Sequence, residues 1–154
     1  ESFENIITKF RQAIPEITIS TDIICGYPGE TDEDFKKTYE LIERIKPDVL
    51  NISRFWPRPG TIAGKKKQLP SEVLKERSIM LKSLHDKIAF ESNKKWIGWE
   101  GKIIIDELGK SDTFVGRNYT YRPVIVKGNF KLGDTIFVKI KNITRHDLRA
   151  EIIN

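Results

Sequence analysis

The stretch from Thr21 to Phe35 constrains the fold most. Ile17 to Cys25 is β-branched and largely apolar, which suits a buried strand rather than a half-wet one. The run then breaks at Gly26 and reopens through Pro28-Gly29 into an acidic helix start. Glycine supplies turn conformations that other residues resist, and proline fixes its own φ. Thr31 or Asp32 can cap the next helix, and Asp32, Glu33 and Asp34 suit the positive end of its dipole. A turn of this kind lies at the carboxyl end of a strand, where parallel α/β folds place their ligands.

The flanking segments repeat the pattern. Ser2 to Ile14 carries Phe3, Ile6, Ile7, Phe10 and Ile14 at helical spacing and stops at Pro15. Asp34 to Lys46 predicts a second helix with Phe35, Tyr39, Ile42 and Ile45 on one face, ended by Pro47. Val49 to Phe55 is a second apolar strand. Helix, strand, helix, strand with short links is the order of a parallel α/β sheet. About two repeats are too few to close a barrel, so the front half reads as a piece of a larger domain. The loop Trp56 to Thr61 leaves the second strand at the same end as the first turn. Arg58 there is either an anion ligand or a plain surface arginine in a stiff loop. Lys65-Lys66-Lys67 reads as a solvated loop. Pro70 and Ser71 open the longest predicted helix, Glu72 to Lys95, with Val73, Met80, Leu81, Leu84 and Ile88 as its buried stripe. His85 beside that stripe reads as structural.

After Trp96-Ile97-Gly98-Trp99 the periodicity changes. Gly101–Leu108, Thr113–Arg117, Tyr121–Lys127, Asp134–Asn142 and Leu148–Ile152 are predicted strands, punctuated by glycines. Five short strands in so few residues predict a small closed barrel of the oligonucleotide-binding sort. Trp96 and Trp99 are expected to pack the junction rather than stack bases. Charge divides the chain in the same way: net −3 over residues 1–64, +5 over 65–95 and +3 over 96–154. A basic rear fits a polyanion partner or simply a lysine-rich surface. Val115 to Val124 mixes aromatic rings with cations: Arg117, Arg122 and Lys127 for phosphates, Tyr119 or Tyr121 for a base. One of the two tyrosines is expected to face the barrel core and the other to face out, against the alternative that both complete that core.

Several classes are excluded. No run approaches a membrane span, and the residues from Glu1 show no signal-peptide pattern. The single Cys25 precludes an intrachain disulfide and reads as an inert core thiol. His85 and His146 are the only histidines. No nucleophile–histidine–carboxylate set, zinc spacing, Walker loop or dinucleotide fingerprint is present, so no catalytic or metal-ligating residue is assigned. Glu30, Asp32, Glu33 and Asp34 read as helix-start charges before an acid–base pair.

Three motifs in order carry a resemblance. Asp22 to Thr31, followed by Asp32-Glu33-Asp34-Phe35, resembles the late-barrel motif of radical S-adenosylmethionine (SAM) enzymes. Arg54 to Thr61 resembles the Pro-Arg-Pro-Gly-Thr segment of the tRNA methylthiotransferases. Gly116-Arg117-Asn118 with Tyr121-Arg122-Pro123-Val124 resembles the TRAM domain that ends those enzymes. The resemblance covers essentially the whole chain. It implies an α/β plus all-β protein: the last βα units of a partial (βα)6 barrel with a linking helix over residues 1–95, then a five-stranded TRAM barrel over 96–154. It implies an enzyme that uses SAM and two [4Fe–4S] clusters to add a methylthio group to a tRNA adenine. The Tyr121 to Val124 form is most like the archaeal and eukaryotic type, which acts on threonylcarbamoyladenosine beside the anticodon. Asp22 matches a polar position near the SAM ribose or amino acid part, Ile24 the apolar position against the adenine, and Gly26 a point of close backbone approach. Arg58 matches a holder of an anionic group, and Arg117, Tyr119, Arg122 and Lys127 match RNA contacts. The expected partner is tRNA, with no DNA and no membrane, in the cytoplasm. The departure is large: the family's cluster cysteines are missing, and Cys25 belongs to neither set. The expectation is therefore a carboxyl-terminal part of a longer protein, inactive alone. The alternatives are a stand-alone RNA-binding module and a metabolite-binding α/β protein unrelated to RNA.

Overall fold

The computed structural model of the chain describes residues 2–153. Two compact units divide it, and they are interleaved in sequence. The first holds the residues up to Ile7 and Ile19–Ile88; the second holds Thr8–Thr18 and the residues from Ala89 on.

In the first unit, β1 (Ser20–Cys25) and β2 (Val49–Arg54) pair in parallel, from Ser20 opposite Val49 to Cys25 opposite Arg54. A parallel pair needs a crossover, and α2 (Asp32–Ile45) supplies it. Thr31 is the cap: its Oγ1 accepts from the Asp34 N–H at 3.1 Å, and the Asp34 carboxylate accepts from the Thr31 N–H at 3.1 Å. Such a reciprocal cap stabilises a helix start by about 0.5–2 kcal/mol. The hydrogen bonds from Thr31 hold the Asp34 carboxyl below the usual carboxylate range. At the other end Lys46 turns left-handed, with φ 45, and donates to Ile42 O before Pro47. Phe35, Ile42 and Ile45 from α2 pack with Ile7, Cys25 and Leu50.

The remaining helices are α1 (Phe3–Ala13), α3 (Ile62–Lys65) and α4 (Ser71–Lys94). α3 is a single turn that ends at Lys65, the first residue of the expected lysine loop; Thr61 caps it by accepting from Gly64 N–H at 3.0 Å. Ser71 is the first residue of α4, one ahead of the expected start. Within the first unit α4 buries Arg77, Leu81 and Leu84, whereas Met80, expected in the stripe, is exposed. Leu81 and Leu84 are buried as expected and Val73 and Ile88 are half-buried, so only Met80 leaves the stripe, and Arg77 takes a core position on it. Two further expectations fail. β1 is not buried on both faces: Ser20, Asp22 and Ile24 are exposed and their neighbours are not. Of the α1 stripe only Ile7 is buried, and Phe3, Ile6, Phe10 and Ile14 remain exposed.

The second unit is the expected five-stranded barrel. β3 (Glu100–Leu108), β4 (Thr113–Arg117), β5 (Pro123–Lys127), β6 (Thr135–Ile143) and β7 (Leu148–Ile152) close in the order β3-β4-β5-β7-β6. Only β5 and β7 pair in parallel. Register shifts at Ile105/Glu107 in β3 and Ile140/Asn142 in β6 interrupt the two nine-residue strands. Such shifts bend a strand, which a small closed barrel requires. Ile103 and Ile105 point inward with Val124, Val126 and Val138, each contributing about 1.5–3 kcal/mol by burial. Gly116 lets β4 approach β3: a Cβ there would lie 2.7 Å from Ile103 Cδ1. Trp96, 2% exposed, joins this core with Trp99 against it, their rings edge to face at 5.6 Å. Both tryptophans therefore serve packing.

Candidate cofactor-binding face and nucleic-acid interface

Period-two alternation places Asp22 and Ile24 on one exposed face of the β1–β2 pair, and the register adds Asn51 and Ser53 beside them. Asn51 Nδ2 donates to Asp22 Oδ1 at 2.7 Å. One face thus offers a carboxylate held in place by an amide, next to an exposed isoleucine. Asn51 carries no local signal: the register that sets it opposite Asp22 belongs to the pair of strands and to neither alone.

The turn after β1 is fixed from below. Gly26 N–H donates to Glu30 Oε2 at 2.9 Å, and Glu30 N–H to Tyr27 O at 2.8 Å. Arg77, buried on α4, donates to the Glu30 carboxylate and, at 2.7 Å, to Asp32 Oδ1. Its guanidinium also lies 5.2 Å from the centre of the Phe35 ring. Glu30 and Asp32 are therefore partners of one arginine rather than an acid–base pair. Breaking a buried pair by removing one member costs about 3–5 kcal/mol. Arg77 escaped the sequence reading because a single arginine in a polar helix carries no local signal. Gly26 has φ +77, and what approaches it is the Leu74 side chain, whose Cγ lies 2.4 Å from where a Cβ would be.

Cys25 closes β1 and is buried. Burial pushes its thiol up, the Glu30 carboxylate adds to this, and Arg77 and Arg54 oppose it. Such a thiol stays protonated and unreactive. Among the described residues no group of three His, Cys, Asp or Glu side chains could hold a metal ion. The residues of this chain do not fit a [4Fe–4S] cluster, which requires several thiolates. β2 leads into the loop that carries Arg58, whose side chain is exposed. Phe55 anchors the loop start: its N–H donates to Cys25 O at 2.8 Å and its ring meets Tyr27 edge to face at 5.4 Å.

In the second unit, a turn joins β4 to β5, and it takes in Tyr121, where a strand was expected to start. Asn118 Oδ1 accepts from Thr120 N–H at 3.1 Å, Thr120 Oγ1–H at 2.9 Å and Arg122 N–H at 3.0 Å. Tyr121 sits at φ 66, and both tyrosines face out: Tyr119 is 64% exposed and Tyr121 71%. The one-in, one-out expectation fails: the segment is a turn, and even on a strand residues two apart share a face. The Tyr119 hydroxyl donates to the Glu16 carboxylate, which pushes the phenol up to about 12. Thr18 Oγ1–H reaches Thr120 O at 2.6 Å. Arg117 binds Asp106 at 2.9 Å and lies 5.1 Å from the centre of the Tyr121 ring. Lys127 ends β5 on the surface.

Arg122 is the exception among the four expected RNA contacts. Its side chain is buried, donates to Asn93 Oδ1 at 2.7 Å and Ser92 Oγ at 3.1 Å, and lies 5.8 Å from the Trp96 ring centre. It ties the turn to the end of α4 and offers no charge at the surface. A pattern of alternating rings and cations does not reveal which cation turns inward.

A turn of exposed rings on a closed five-stranded barrel, following a parallel βαβ piece, defines a two-part protein with a small β module at its rear. Residues 94–153 match the TRAM domain family. Over 99% of its length the chain is 43% identical to the probable threonylcarbamoyladenosine tRNA methylthiotransferase of Pyrococcus horikoshii. It is 38% identical over its full length to a tRNA-2-methylthio-N(6)-dimethylallyladenosine synthase of Aliarcobacter butzleri, and 36% identical over 97% to a threonylcarbamoyladenosine tRNA methylthiotransferase of Xenopus laevis. Through both units the chain is similar to a part of proteins named tRNA methylthiotransferases, and its residues 94–153 match the TRAM domain. It spans 36%, 36% and 27% of the length of these three relatives. Among the described residues no helix is long and apolar enough to cross a membrane.

Proposed function

We propose that the chain is the carboxyl-terminal part of a radical SAM tRNA methylthiotransferase, acting in the cytoplasm on threonylcarbamoyladenosine beside the anticodon. The single observation that carries this is a likeness running unbroken through both units, at 43% identity to two proteins named for that nucleoside. In this reading residues 1–95 are the last βα units of a partial (βα)6 barrel, and residues 96–154 are the RNA-binding TRAM domain.

SAM, when bound with a cluster, supplies the radical chemistry, and the two [4Fe–4S] clusters are held by residues outside this chain. This chain's own residues form one wall. Asp22, steadied by Asn51, accepts hydrogen bonds from a ribose or ammonium group. Ile24 offers apolar surface to an adenine. Gly26 keeps the strand end clear, under the hold of Glu30 and Arg77. Arg58 neutralises an anionic group of cofactor or substrate. On the TRAM side, Tyr119, Lys127 and Arg117 orient tRNA without taking part in bond breaking, and Arg122 holds the turn that presents them.

The test uses the whole parent protein, with clusters rebuilt under anaerobic conditions. Methylthiolation of tRNA adenosine with cleavage of SAM is expected. Unmodified tRNA together with uncleaved SAM would overturn the reading.

A further inference from the structure

From the chemistry of one loop in the first unit, we infer that residues 55–70 form a second single-stranded RNA contact, in which Trp56 stacks on a base and Lys65, Lys66 and Lys67 meet the backbone phosphates. The inference rests on the tRNA reading above and deepens it, because there the RNA contacts belong to the TRAM domain.

Trp56 is 80% exposed. Tryptophan is highly buried on average, so a nearly bare indole is an informative departure. The other two tryptophans are packed into the second unit. The loop is also shaped in advance. Phe55 is pinned to Cys25 and Tyr27, Pro57 and Pro59 fix two φ angles, and Thr61 Oγ1–H donates to Arg58 O at 2.9 Å. Gln68 Nε2 closes the far side on Lys66 O at 2.7 Å and Ala63 O at 3.1 Å. A ring presented by such a loop loses little freedom when it stacks.

The charge is one-signed. Residues 49–71 contain no aspartate or glutamate and five cations: Arg54, Arg58 and the three lysines. Lys65, Lys66 and Lys67 are all exposed, and the Lys66 ammonium lies 5.8 Å from the centre of the Tyr27 ring. A cationic track interleaved with exposed rings is what unpaired nucleic acid requires: every base has a face to stack, and each neutralised phosphate releases counterions. A duplex hides those faces, so the surface selects single strands. Anionic lipid would also suit cations beside an indole. RNA is favoured because the same chain carries a TRAM domain.

The experiment uses the 154-residue chain with a short single-stranded RNA, the corresponding duplex, and phosphatidylserine vesicles. Trp56→Leu is expected to weaken single-strand binding about tenfold and Trp56→Phe to retain most of it. RNA is expected to quench the fluorescence of the unaltered chain and not that of Trp56→Phe. Replacing the three lysines by alanine is expected to lower the slope of log K against log salt by about two, at about 0.7 per single-strand phosphate contact. All four residues are exposed, and circular dichroism checks that each variant stays folded. If the chain binds RNA but the variants match it in affinity, slope and quenching, the loop is not a contact and the tRNA reading stands. If the unaltered chain binds no RNA at low salt, both fall. A change in tryptophan emission on vesicles but not on RNA would assign the surface to a membrane and overturn the inference.

Discussion

His85 shows how one side chain links burial to pH. It is half-buried on α4, and its Nε2–H donates to Pro47 O at 3.2 Å. Burial pushes the imidazole below its ordinary 6.5; the hydrogen bonds to Pro47 and Asp48 and the carboxylates of Asp86 and Asp48 pull it up by less. The folded imidazole therefore stays neutral where the unfolded one takes a proton. This contribution to stability is full above the unfolded value and is lost as pH falls through the lowered folded value. The melting temperature of the first unit is expected to fall as pH drops below the ordinary imidazole value of 6.5, and His85→Gln is expected to flatten that fall. An identical slope in the variant would assign the pH dependence to other groups. Other residues divide by the reach of their signal. Thr31 was legible as a cap because capping is local. Arg77 and Arg122 were illegible as buried tethers because their partners lie far away in sequence.

At the scale of elements, the turn after β1 is the most constrained segment of the first unit. Gly26→Ala would place a Cβ at φ +77 and against Leu74, so a loss of about 1–3 kcal/mol is expected. Chemical denaturation checks this, and adding Leu74→Ala should recover the part due to crowding while leaving the part due to backbone strain. No loss in Gly26→Ala would mean that the turn shifts freely. Helices and strands were read within one or two residues in most places, since periodicity and proline breaks are written locally. The faces were read less well. The α1 stripe and the apolar run into β1 predict burial, yet Phe3, Phe10 and Ile24 are exposed. An amphipathic pattern records that a segment has a face to cover, but not what covers it. Asn51 on the candidate SAM face was missed for a related reason: pairing register is not a property of either strand alone.

At the scale of the molecule, the sequence reading and the fold agree on a parallel α/β part before a β-barrel, and the rear of the barrel was the clearest part to read. Gly109, Gly116, Gly128 and Gly133, at or beside strand ends, divide it into countable pieces. What the order of residues concealed is that the second unit borrows Thr8–Thr18 from between the two stretches of the first. That borrowing bears on any attempt to excise the rear module. A fragment trimmed to the family match would start at residue 94. It would leave behind the Asn93 and Ser92 acceptors of Arg122, the carboxylate that receives the Tyr119 hydroxyl and the Thr18 hydroxyl that reaches Thr120. The orphaned guanidinium would then have to rehydrate, the ring-bearing turn would loosen, and the isolated piece should resist proteolysis less well than the same residues in the intact polypeptide.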